Sequence, residues 1–541
     1  MSGVTQSDDV PVLICGAGPT GLTLANLLGR YGIRTLLVER NLTTVQEPRA
    51  VSIDDESLRT LQSAGLVEQV LPTVTAGYGS IYLGPTGKPF LKVKPTDVIY
   101  GYPRRNAFRQ PTLEAQLREG LQRFDHVECL FGWTLESFAQ NDGAVVYQLR
   151  NADGDVRNGR AGFLVGCDGA ASKVRSDLGL SLEGRTFAER WLIVDLEASP
   201  SPGPDTVVFC DARRPCIALP GPNSTRRFEF KLLPGERPDD FLEAENVAKL
   251  LEDHGAAPGS ILRRKTVYTF HARLAPTWQV DRVFLAGDAC HLTPPFAGQG
   301  MNSGLRDAHN LAWKLAAVVK GQLGQRLLVS YEQERREHVN DMISLALRMG
   351  RIMGPSTPLY GSLTRLAFHV VNGFSPLRSY FSQMRYKPQP KFRDGFQLPD
   401  RQTTRTTLVG RLLPQPRVVT QTGRHVLLDE VLGDGFALLC VTDDPGAFAD
   451  AAHHHIWHQL GVCKVAAAAH DQPAPCPGTI AVVSGFPKLP AYRNVNNLVI
   501  LVRPDRYVAA TFPLAEIDFY AAAIDRLCKQ TILAEPFAET G

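Results

Sequence analysis

The chain has 541 residues, several times the usual length of one domain, so we expect two or three domains. Hydrophobic residues make up 44% and charged residues 21%, a balance that is typical of globular proteins and argues against a disordered or fibrous chain. The net charge is only +3 and no long block of basic residues occurs. This excludes an extended nucleic-acid-binding tail and favours small-molecule partners.

No apolar run approaches the roughly 20 residues that a membrane-spanning helix needs, and residues 1–10 lack the order of a signal peptide. We therefore expect a cytoplasmic protein without a membrane partner. The ten cysteines include no C-x-x-C pair and no metal-ligand spacing, so we expect neither structural disulfides nor a metal site. They are interpreted as small buried hydrophobic side chains.

Residues 10–28 predict a strand, a glycine turn and a helix in direct succession. Gly16 permits the tight turn, Gly18 allows the backbone to approach a pyrophosphate, and Gly21 allows the helix to pack closely on the strand. The helix N-terminus offers N–H groups and the positive end of its dipole to the phosphates. This pattern predicts a dinucleotide-binding fold.

A second apolar run ends in Glu39, about 20 residues after the glycine turn, which is the spacing of a ribose-binding acid. The alternative for Glu39 is a solvated strand end. The adjacent Arg40 is either a cofactor contact or a surface charge. No second G-x-G-x-x-G motif follows, so a dedicated nicotinamide domain is not expected.

Two further segments run from an apolar strand into a glycine turn. The first contains Asp168-Gly169, and the second contains Gly287-Asp288 and is followed by the run Pro294 to Asn302. Apolar residues then recur every three or four positions, which predicts a helix. N–H groups near Met301 and Asn302 would face a ligand at its N-terminus.

These segments resemble the D-G and G-D motifs of the single-component (group A) flavoprotein aromatic hydroxylases. The resemblance implies FAD as cofactor, NADH or NADPH as co-substrate, and O2 as the source of the oxygen atom. It places Asp288 at the FAD ribityl chain, and Asp168 near both FAD and NAD(P)H. The other cofactor contacts that it implies are Arg49, Gln110, Gly287, Gly298, Gly300, Met301 and Asn302.

The chain departs from the family directly after Arg49, where many relatives carry an Arg-Thr pair and this sequence reads Ile53-Asp54-Asp55-Glu56. The acidic run is interpreted as a helix start, because carboxylates suit the positive end of the helix dipole.

The predicted fold class is α/β: an FAD-binding Rossmann-like (GR2-type) domain, an interleaved β-sheet substrate domain and a thioredoxin-like C-terminal domain. The FAD domain is assigned to residues 1–72, 104–180 and 281–350. The substrate domain and a helical region take 73–103, 181–280 and 351–400, where residues 386–407 are interpreted as a linker. The C-terminal domain takes 401–541.

The C-terminal domain is predicted from strands at 436–441, 462–466, 497–502 and 507–512 and helices at 445–460 and 514–529. Without C-x-x-C it has no dithiol chemistry, so packing or dimerisation is its expected role and a homodimer is a further expectation. The histidines at 453, 454, 455 and 458 suggest a metal site or a polar helix face, and the polar face is the simpler interpretation because no second ligand pair is nearby.

The implied reaction is hydroxylation of a phenol ortho to its hydroxyl, with 3-(3-hydroxyphenyl)propionate as the leading substrate. Basic residues of the substrate-side block are candidates to bind its carboxylate, above all Arg190, Arg226 and Arg273, with Arg213, Arg214 and Arg227 in the same group. His271 is a candidate for phenol deprotonation, since its ordinary pKa lies near neutrality, and Pro294 is placed at the reaction site. Alternatives are a hydroxylase of a ubiquinone-pathway or polycyclic aromatic substrate, an FAD-dependent reductase, and a non-catalytic flavin-binding scaffold.

Overall fold

The computed structural model describes residues 9–141, 143–400, 407–468, 480–485 and 497–532. They form a mixed α/β protein, as predicted. The chain divides into two units by its internal contacts. One comprises Met1–Val98, Pro103–Ala308 and Val339–Pro388, and the other comprises Ile99–Tyr102, His309–His338 and Gln389–Gly541. The three-domain boundaries predicted from the sequence stay a prediction.

The nucleotide-fold sheet of the first unit has a parallel centre. Val10–Cys15 pairs in parallel with Val156–Gly166 on one side and with Thr35–Glu39 on the other. The order across the sheet is Gln279–Val280, Val283–Leu285, Val156–Gly166, Val10–Cys15, Thr35–Glu39 and Val127–Phe131, with Trp133–Asn141 and Ala144–Asn151 attached beside Val156–Gly166. The carboxyl ends of the parallel strands meet at one edge, which is where such sheets bind ligands.

The second sheet of this unit is the predicted substrate-side sheet. Its order is His291–Leu292, Ile261–Leu274, Glu183–Glu197, Arg226–Lys231, Cys216–Pro220, Thr206–Phe209, Ser80–Leu83 and Pro89–Val93. One face packs on a core that contains Phe228, Phe230 and Leu192. A small third sheet joins Ser52–Ile53, Asn106–Ala107 and Thr75–Ala76.

The longer α-helices, such as Gly300–Val319, place their apolar positions at three- and four-residue spacing, as amphipathic helices do. In the described part of the chain the α-helices are Pro19–Arg30, Asp55–Ser63, Val67–Val70, Gln110–Gly120, Lys173–Asp177, Pro238–Phe241, Ala244–Asp253, Gly300–Val319, Val329–Met353, Pro358–Asn372, Ser375–Ser382, Leu428–Leu432, Pro445–Ala451, His455–Gln459 and Ile517–Ile532. None of them is long and apolar enough to cross a membrane.

The second unit is built on a seven-stranded sheet with the order His425–Leu427, Arg417–Thr420, Ile480–Ser484, Cys463–Ala467, Ala437–Val441, Leu498–Val502 and Val508–Pro513. The hairpin predicted near residues 497–512 is present. A buried ionic cluster lies in this unit: Arg503 binds Glu334 at 2.7 Å and Asp505 at 2.6 Å, and Lys314 binds Glu334 at 2.7 Å. Each charge in the cluster has a partner, as burial requires.

One local prediction is wrong. The helix expected at 445–460 is two helices, Pro445–Ala451 and His455–Gln459, because Ala452 and His454 leave the helical conformation and the His454 ring caps the second helix at Ile456 N. The segment interpreted as a linker is anchored at its start, since Lys387 is buried against two carboxylates. Residues 401–406 of that segment lie outside the described residues.

The nine cysteines within the described ranges form no disulfide, and most of them are buried. Burial raises the pKa of several of these thiols, including Cys15, Cys167 and Cys216, which keeps them protonated. They therefore behave as hydrophobic side chains, as the sequence predicts. Cys476 lies outside the described residues.

Candidate active site

A cavity of about 430 Å³ opens within the first unit. Its lining includes the glycine turn after the first strand, strands of the substrate-side sheet, and the tyrosines Tyr78, Tyr82 and Tyr386; the part lined by the sheet and these tyrosines is called its substrate end. Cavities of this size, largely apolar with a few polar groups, are typical of small-molecule sites. This cavity is the candidate active site.

The three glycines of the turn have different surroundings. Gly16 has a φ of +106°, and a side chain there would collide with the Cys167 carbonyl. A side chain on Gly21 would collide with the carbonyl oxygen of Gly16, so the helix packs directly on the turn. Gly18 instead faces the cavity, and a Cβ placed on it meets no atom within 4 Å.

Gly18 is also the N-cap of helix Pro19–Arg30, and no side chain caps that end. The first N–H groups of the helix therefore lack side-chain partners and are open to an anion. The open space over Gly18 and the uncapped helix end fit the pyrophosphate of FAD.

Glu39 lies at the end of its strand beside the glycine turn. Its carboxylate accepts hydrogen bonds from Ala17 N and Asn41 N, both at 2.9 Å. These bonds hold the carboxylate at the carboxyl edge of the sheet. Arg40 is exposed and does not line the cavity.

Arg49 and Gln110 line the same end of the cavity. The Gln110 side chain accepts a hydrogen bond from Ala50 N at 2.7 Å and donates one to Glu114 at 2.7 Å. Burial raises the pKa of Glu114 to about 7, against the hydrogen bonds from Gln110 and Val45. Gln110 thus ties the segment that carries Arg49 to helix Gln110–Gly120.

Asp168 differs from Asp288 in that its side chain does not line the cavity. Its carboxylate accepts hydrogen bonds from Lys173 N at 2.7 Å and Val174 N at 3.1 Å, and so binds the N-terminus of a short helix. Its neighbours Cys167 and Gly169 line the cavity, but Asp168 does not.

Asp288 reaches the cavity from a turn that a buried pair holds in place. His291 Nε2 lies 2.6 Å from Asp307, and the same carboxylate oxygen accepts a hydrogen bond from Gly287 N at 3.1 Å. Gly287 has a φ of +62° and lies against Thr20. Burial raises the pKa of Asp288, with His291 and Arg49 acting against the rise.

Helix Gly300–Val319 begins where predicted, and Gly298, Gly300 and Met301 line the cavity in front of it. Asn302 does not line it. Its side chain donates to Ser52 O and Gly298 O and accepts from Asp54 N, so it fixes the loop to the neighbouring sheet.

The acidic run begins a helix, as predicted: Asp54 caps helix Asp55–Ser63 by accepting a hydrogen bond from Ser57 N at 2.9 Å. No sequence pattern indicates that this acidic run is buried, yet Asp54, Asp55 and Glu56 all are. Arg306 and Lys387 each pair with both Asp54 and Glu56. Burial acts to raise the pKa of Asp54, but Arg306 and Lys387 hold it well below its usual range.

The substrate end of the cavity contains an arginine that the sequence analysis missed. Arg105 donates a hydrogen bond to Ser80 Oγ, and its guanidinium lies 4.3 Å from the centre of the Tyr78 ring. Tyr82 and Tyr386 line the cavity with it. Within the described ranges, no carboxylate lies at ion-pair distance from Arg105. The sequence signal was an arginine pair, Arg104-Arg105, at the start of the predicted FAD segment 104–180.

Two further titratable groups line the cavity. His271 Nδ1 lies 3.1 Å from Thr186 Oγ1, and burial and Arg273 lower the pKa of the ring, so His271 is neutral near pH 7. Glu229 is 6% exposed, and burial raises its pKa to about 7. The sequence analysis assigned no role to Glu229.

The three arginines preferred for substrate binding do not line the cavity. Arg190 binds Glu236 O at 3.2 Å, and Arg226 binds Gly255 O at 2.6 Å. Of the wider basic group, Arg227 and His271 are the members that reach the cavity, and Arg227 is paired with Asp195. Pro294 is buried and does not line the cavity, whereas its neighbour Pro295 does.

The histidine cluster lies in the second unit. His453, His455 and His458 are exposed, and His455 lies 3.7 Å from Asp525. The arrangement agrees with the polar-face interpretation.

Two family models match the chain. The model described as FAD binding domain matches residues 9–346, and the one described as HcaD C-terminal domain matches residues 410–527. A 3-(3-hydroxy-phenyl)propionate/3-hydroxycinnamic acid hydroxylase of Klebsiella pneumoniae (strain 342) is 41% identical over 505 residues, covering 92% of this chain and 91% of the relative. One of the same name from Comamonas testosteroni is 39% identical over 556 residues, covering 93% and 94%.

Solved structures show the same fold. The flavin-dependent monooxygenase PieE, solved with FAD and substrate, superposes with a TM-score of 0.77 at 22% identity and covers 97% of this chain and 100% of its own. Aklavinone-11 hydroxylase, solved with FAD and aklavinone, gives 0.76 at 25% identity, covering 97% and 99%.

The nucleotide fold and the cavity beside it define an FAD-binding oxidoreductase. The chain belongs to the group A flavoprotein aromatic hydroxylases, FAD-dependent monooxygenases that hydroxylate aromatic rings.

Proposed function

We propose that the protein uses NADH or NADPH and O2 to hydroxylate a meta-substituted phenol with a carboxylate side chain, ortho to the phenol hydroxyl. The leading substrate is 3-(3-hydroxyphenyl)propionate, because relatives at 39–41% identity carry that substrate in their names. The observation that carries the proposal is Arg105, a cation without a carboxylate partner among the described residues, at the substrate end of the cavity.

Arg105 is suited to an anionic substrate for an electrostatic reason. A buried cation is stable when an anion or hydrogen-bond acceptors surround it. Here the neighbours are the Ser80 hydroxyl and three tyrosines, Tyr78, Tyr82 and Tyr386, and Tyr78 also shares a hydrogen bond with the guanidinium. A guanidinium has five N–H donors, so these neighbours leave donors for a ligand. A substrate carboxylate would supply the missing anion through charge-assisted hydrogen bonds.

The rest of the substrate would lie along the apolar wall of the cavity. This wall includes Val208, Ile217, Phe270, Phe296 and Met349. It would exclude water from the ring during the reaction. The alternative of a polycyclic substrate is weaker, because such a ring system needs no carboxylate partner and would leave Arg105 unpaired.

The cofactor roles follow from the placement of the cavity-lining residues Gly18, Arg49, Gln110 and Asp288, and of Glu39, which does not line the cavity but binds Ala17 N in the glycine turn. We assign the pyrophosphate to Gly18 and the N-terminus of helix Pro19–Arg30, and the ribose to Glu39. Arg49, Gln110 and Asp288 are assigned to the stretch between the phosphates and the flavin ring, and the N-terminus of helix Gly300–Val319 to the ring itself. Bound FAD supplies the redox chemistry, and the chain binds, orients and shields the reactants.

NADH or NADPH is assigned a transient binding surface, since the described sheets contain one nucleotide fold of this type. A homodimer and a cytoplasmic location stay predictions from the sequence.

A comparison of substrates tests the proposal. The purified protein is given 3-(3-hydroxyphenyl)propionate, its neutral amide, or resorcinol, and the consumption of NAD(P)H and O2 is measured together with the hydroxylated product. The acid should be preferred over both neutral phenols by roughly ten- to a hundredfold in kcat/KM. If the amide were turned over as efficiently as the acid, the proposed recognition of a substrate carboxylate would be wrong. NAD(P)H oxidation without any oxygenated product would indicate a reductase.

A further inference from the structure

Strand Arg226–Lys231 presents three charged side chains to one face of the substrate-side sheet. Phe228 and Phe230 pack into the core on the other face, so Arg227, Glu229 and Lys231 share the opposite face. Arg227 pairs with Asp195 at 2.7 Å, and Lys231 pairs with Glu189 at 2.7 Å.

Glu229, between these two ion pairs, has no comparable partner. Its cross-strand neighbours are Ile193 and Ile217. In the part of the chain that the structure describes, no hydrogen bond or ion pair ends on its carboxyl group, although it is buried and lines the cavity. A buried carboxyl without a partner carries a free-energy penalty, which argues for a ligand as its partner.

The sheet register places Glu229 at a defined distance from the arginine end of the cavity. Glu229, Ile217, Val208 and Tyr82 occupy the same register position on four successive strands. Three strand spacings separate Glu229 from Tyr82, or roughly 14 Å between Cα atoms. Ser80, which binds Arg105, lies on the same strand as Tyr82.

The two polar ends of this row are therefore separated by the apolar side chains of Ile217 and Val208. A meta-substituted phenol has the same order of groups: a carboxylate, an apolar body and a hydroxyl. With its carboxylate at Arg105, its ring would lie over Val208 and Ile217, and its hydroxyl would point toward Glu229.

The charged groups around Glu229 are few. On its own strand they are Arg227 and Lys231, and on the adjacent strand Asp195 and Glu189, each already paired; Arg264, one strand further, lies 3.9 Å from Asp195. Apolar side chains that line the same cavity are Ile217, Leu219, Leu345 and Met349. Burial raises the pKa of Glu229 to about 7, Arg227 acts against the rise, and Asp195 adds to it.

We propose that Glu229 accepts the proton of the substrate phenol. The phenol O–H bond breaks, the proton moves to a carboxylate oxygen of Glu229, and the electron pair stays on the phenolate oxygen, which makes the ring more nucleophilic at the ortho carbon. This inference rests on the proposed function, because it requires a phenol in the cavity. It assigns to Glu229 the role that the sequence analysis gave to His271.

A proton acceptor must be ionised before it acts, so the pKa of Glu229 sets the pH dependence. In the wild type, kcat/KM should rise with pH through about 7. In Glu229→Gln, this rise of kcat/KM with pH (the pH limb) should disappear, and kcat/KM should be about a hundredfold lower than in the wild type. Glu229→Asp should keep the limb with reduced activity. His271→Gln should keep the limb.

A second readout requires binding alone. Ionised phenols absorb at longer wavelength than neutral ones, so the ultraviolet difference spectrum of the bound phenol reports its proton. Above neutrality, the anionic Glu229 opposes a second negative charge on the neighbouring phenol oxygen, so the wild-type complex should contain less ionised phenol than the Glu229→Gln complex. The matched control is Glu128→Gln, which also removes one carboxylate but at an exposed position paired with Arg157, and it should behave as the wild type.

The inference is overturned if Glu229→Gln keeps both the rise of kcat/KM with pH and the wild-type fraction of ionised phenol, or if His271→Gln loses the rise of kcat/KM with pH. Flavin content and thermal unfolding show whether each variant has folded. If Glu229→Gln does not fold, the pH dependence of kcat/KM in Glu229→Asp tests the inference instead. Failure of the proposed function looks different, because a wild-type protein that binds the phenol but makes no hydroxylated product still gives the difference spectrum.

Discussion

Replacing Arg105 by methionine tests the carboxylate assignment. Methionine keeps a long, flexible side chain but removes the charge and the guanidinium donors. One charge-assisted hydrogen bond contributes about 1.5–3 kcal/mol, so kcat/KM for the acid should fall roughly ten- to a hundredfold. The neutral amide lacks the anion that Arg105 would bind, so its kcat/KM should change much less.

The measurement is a double-mutant cycle: kcat/KM of the wild type and Arg105→Met, each with the acid and the amide. The contribution of Arg105 is the change in the acid-to-amide ratio, from which general damage to the fold cancels. Arg105→Lys should restore part of the preference, since it keeps the charge but loses the planar fork. Methionine variants of Arg190, Arg226 and Arg273 should keep the wild-type ratio, because these side chains do not line the cavity.

The reasoning is refuted if Arg105→Met leaves the acid-to-amide ratio unchanged while a variant of Arg190, Arg226 or Arg273 collapses it. Bound flavin per protein molecule should stay at the wild-type level in Arg105→Met, since Arg105 lies at the substrate end of the cavity.

Four further outcomes are expected. Gly18→Val should strongly reduce FAD retention after gel filtration, whereas the control Gly203→Val, also in open space, should not. Equal FAD retention in the two variants would contradict the assignment of the pyrophosphate to Gly18. Glu39→Ala and Asp288→Ala should lower flavin affinity in titrations without lowering the thermal midpoint of the apoprotein by more than a few degrees. Glu229 is protonated in the folded protein below its raised pKa, so its contribution to stability is present at low pH and is lost as pH rises from about 4.5 to about 7. In Glu229→Gln, the free energy of unfolding measured by urea titration should therefore change less over that pH range, by up to about 3 kcal/mol. Stopped-flow reduction by NAD(P)H should be slow without a phenol and faster with one, and identical rates would contradict gating by the substrate.

The sequence predicted the nucleotide fold well because its signals are local. The strand, glycine turn and helix at residues 10–30 are contiguous, and each glycine has a backbone requirement that a short motif records. The start of helix Gly300–Val319 was predicted for the same reason, since the glycines and the helical periodicity adjoin.

The substrate end was harder because its parts come together only through sheet register. Glu229, Val208 and Tyr82 lie on strands far apart in sequence, and no local pattern shows that they share one row. Arg190 and Arg226 have the same charge as Arg105, and only the fold reveals that backbone carbonyls already bind them.

Burial of charge was also invisible to sequence reasoning. Asp54 and Glu56 read as an ordinary acidic helix start, and Lys387 as part of a charged linker, yet the fold brings them together with Arg306. Long-range ion pairs of this kind depend on tertiary packing rather than on local sequence.

The central claim is that this protein transfers an oxygen atom to a phenolic ring. The direct measurement is turnover of 3-(3-hydroxyphenyl)propionate with NAD(P)H under isotopically labelled O2, followed by mass spectrometry of the product. We predict one labelled oxygen atom in a ring hydroxyl next to the original one, formed together with the oxidation of NAD(P)H. NAD(P)H oxidation that yields only hydrogen peroxide and unchanged phenol, or a product without the label, would contradict the account.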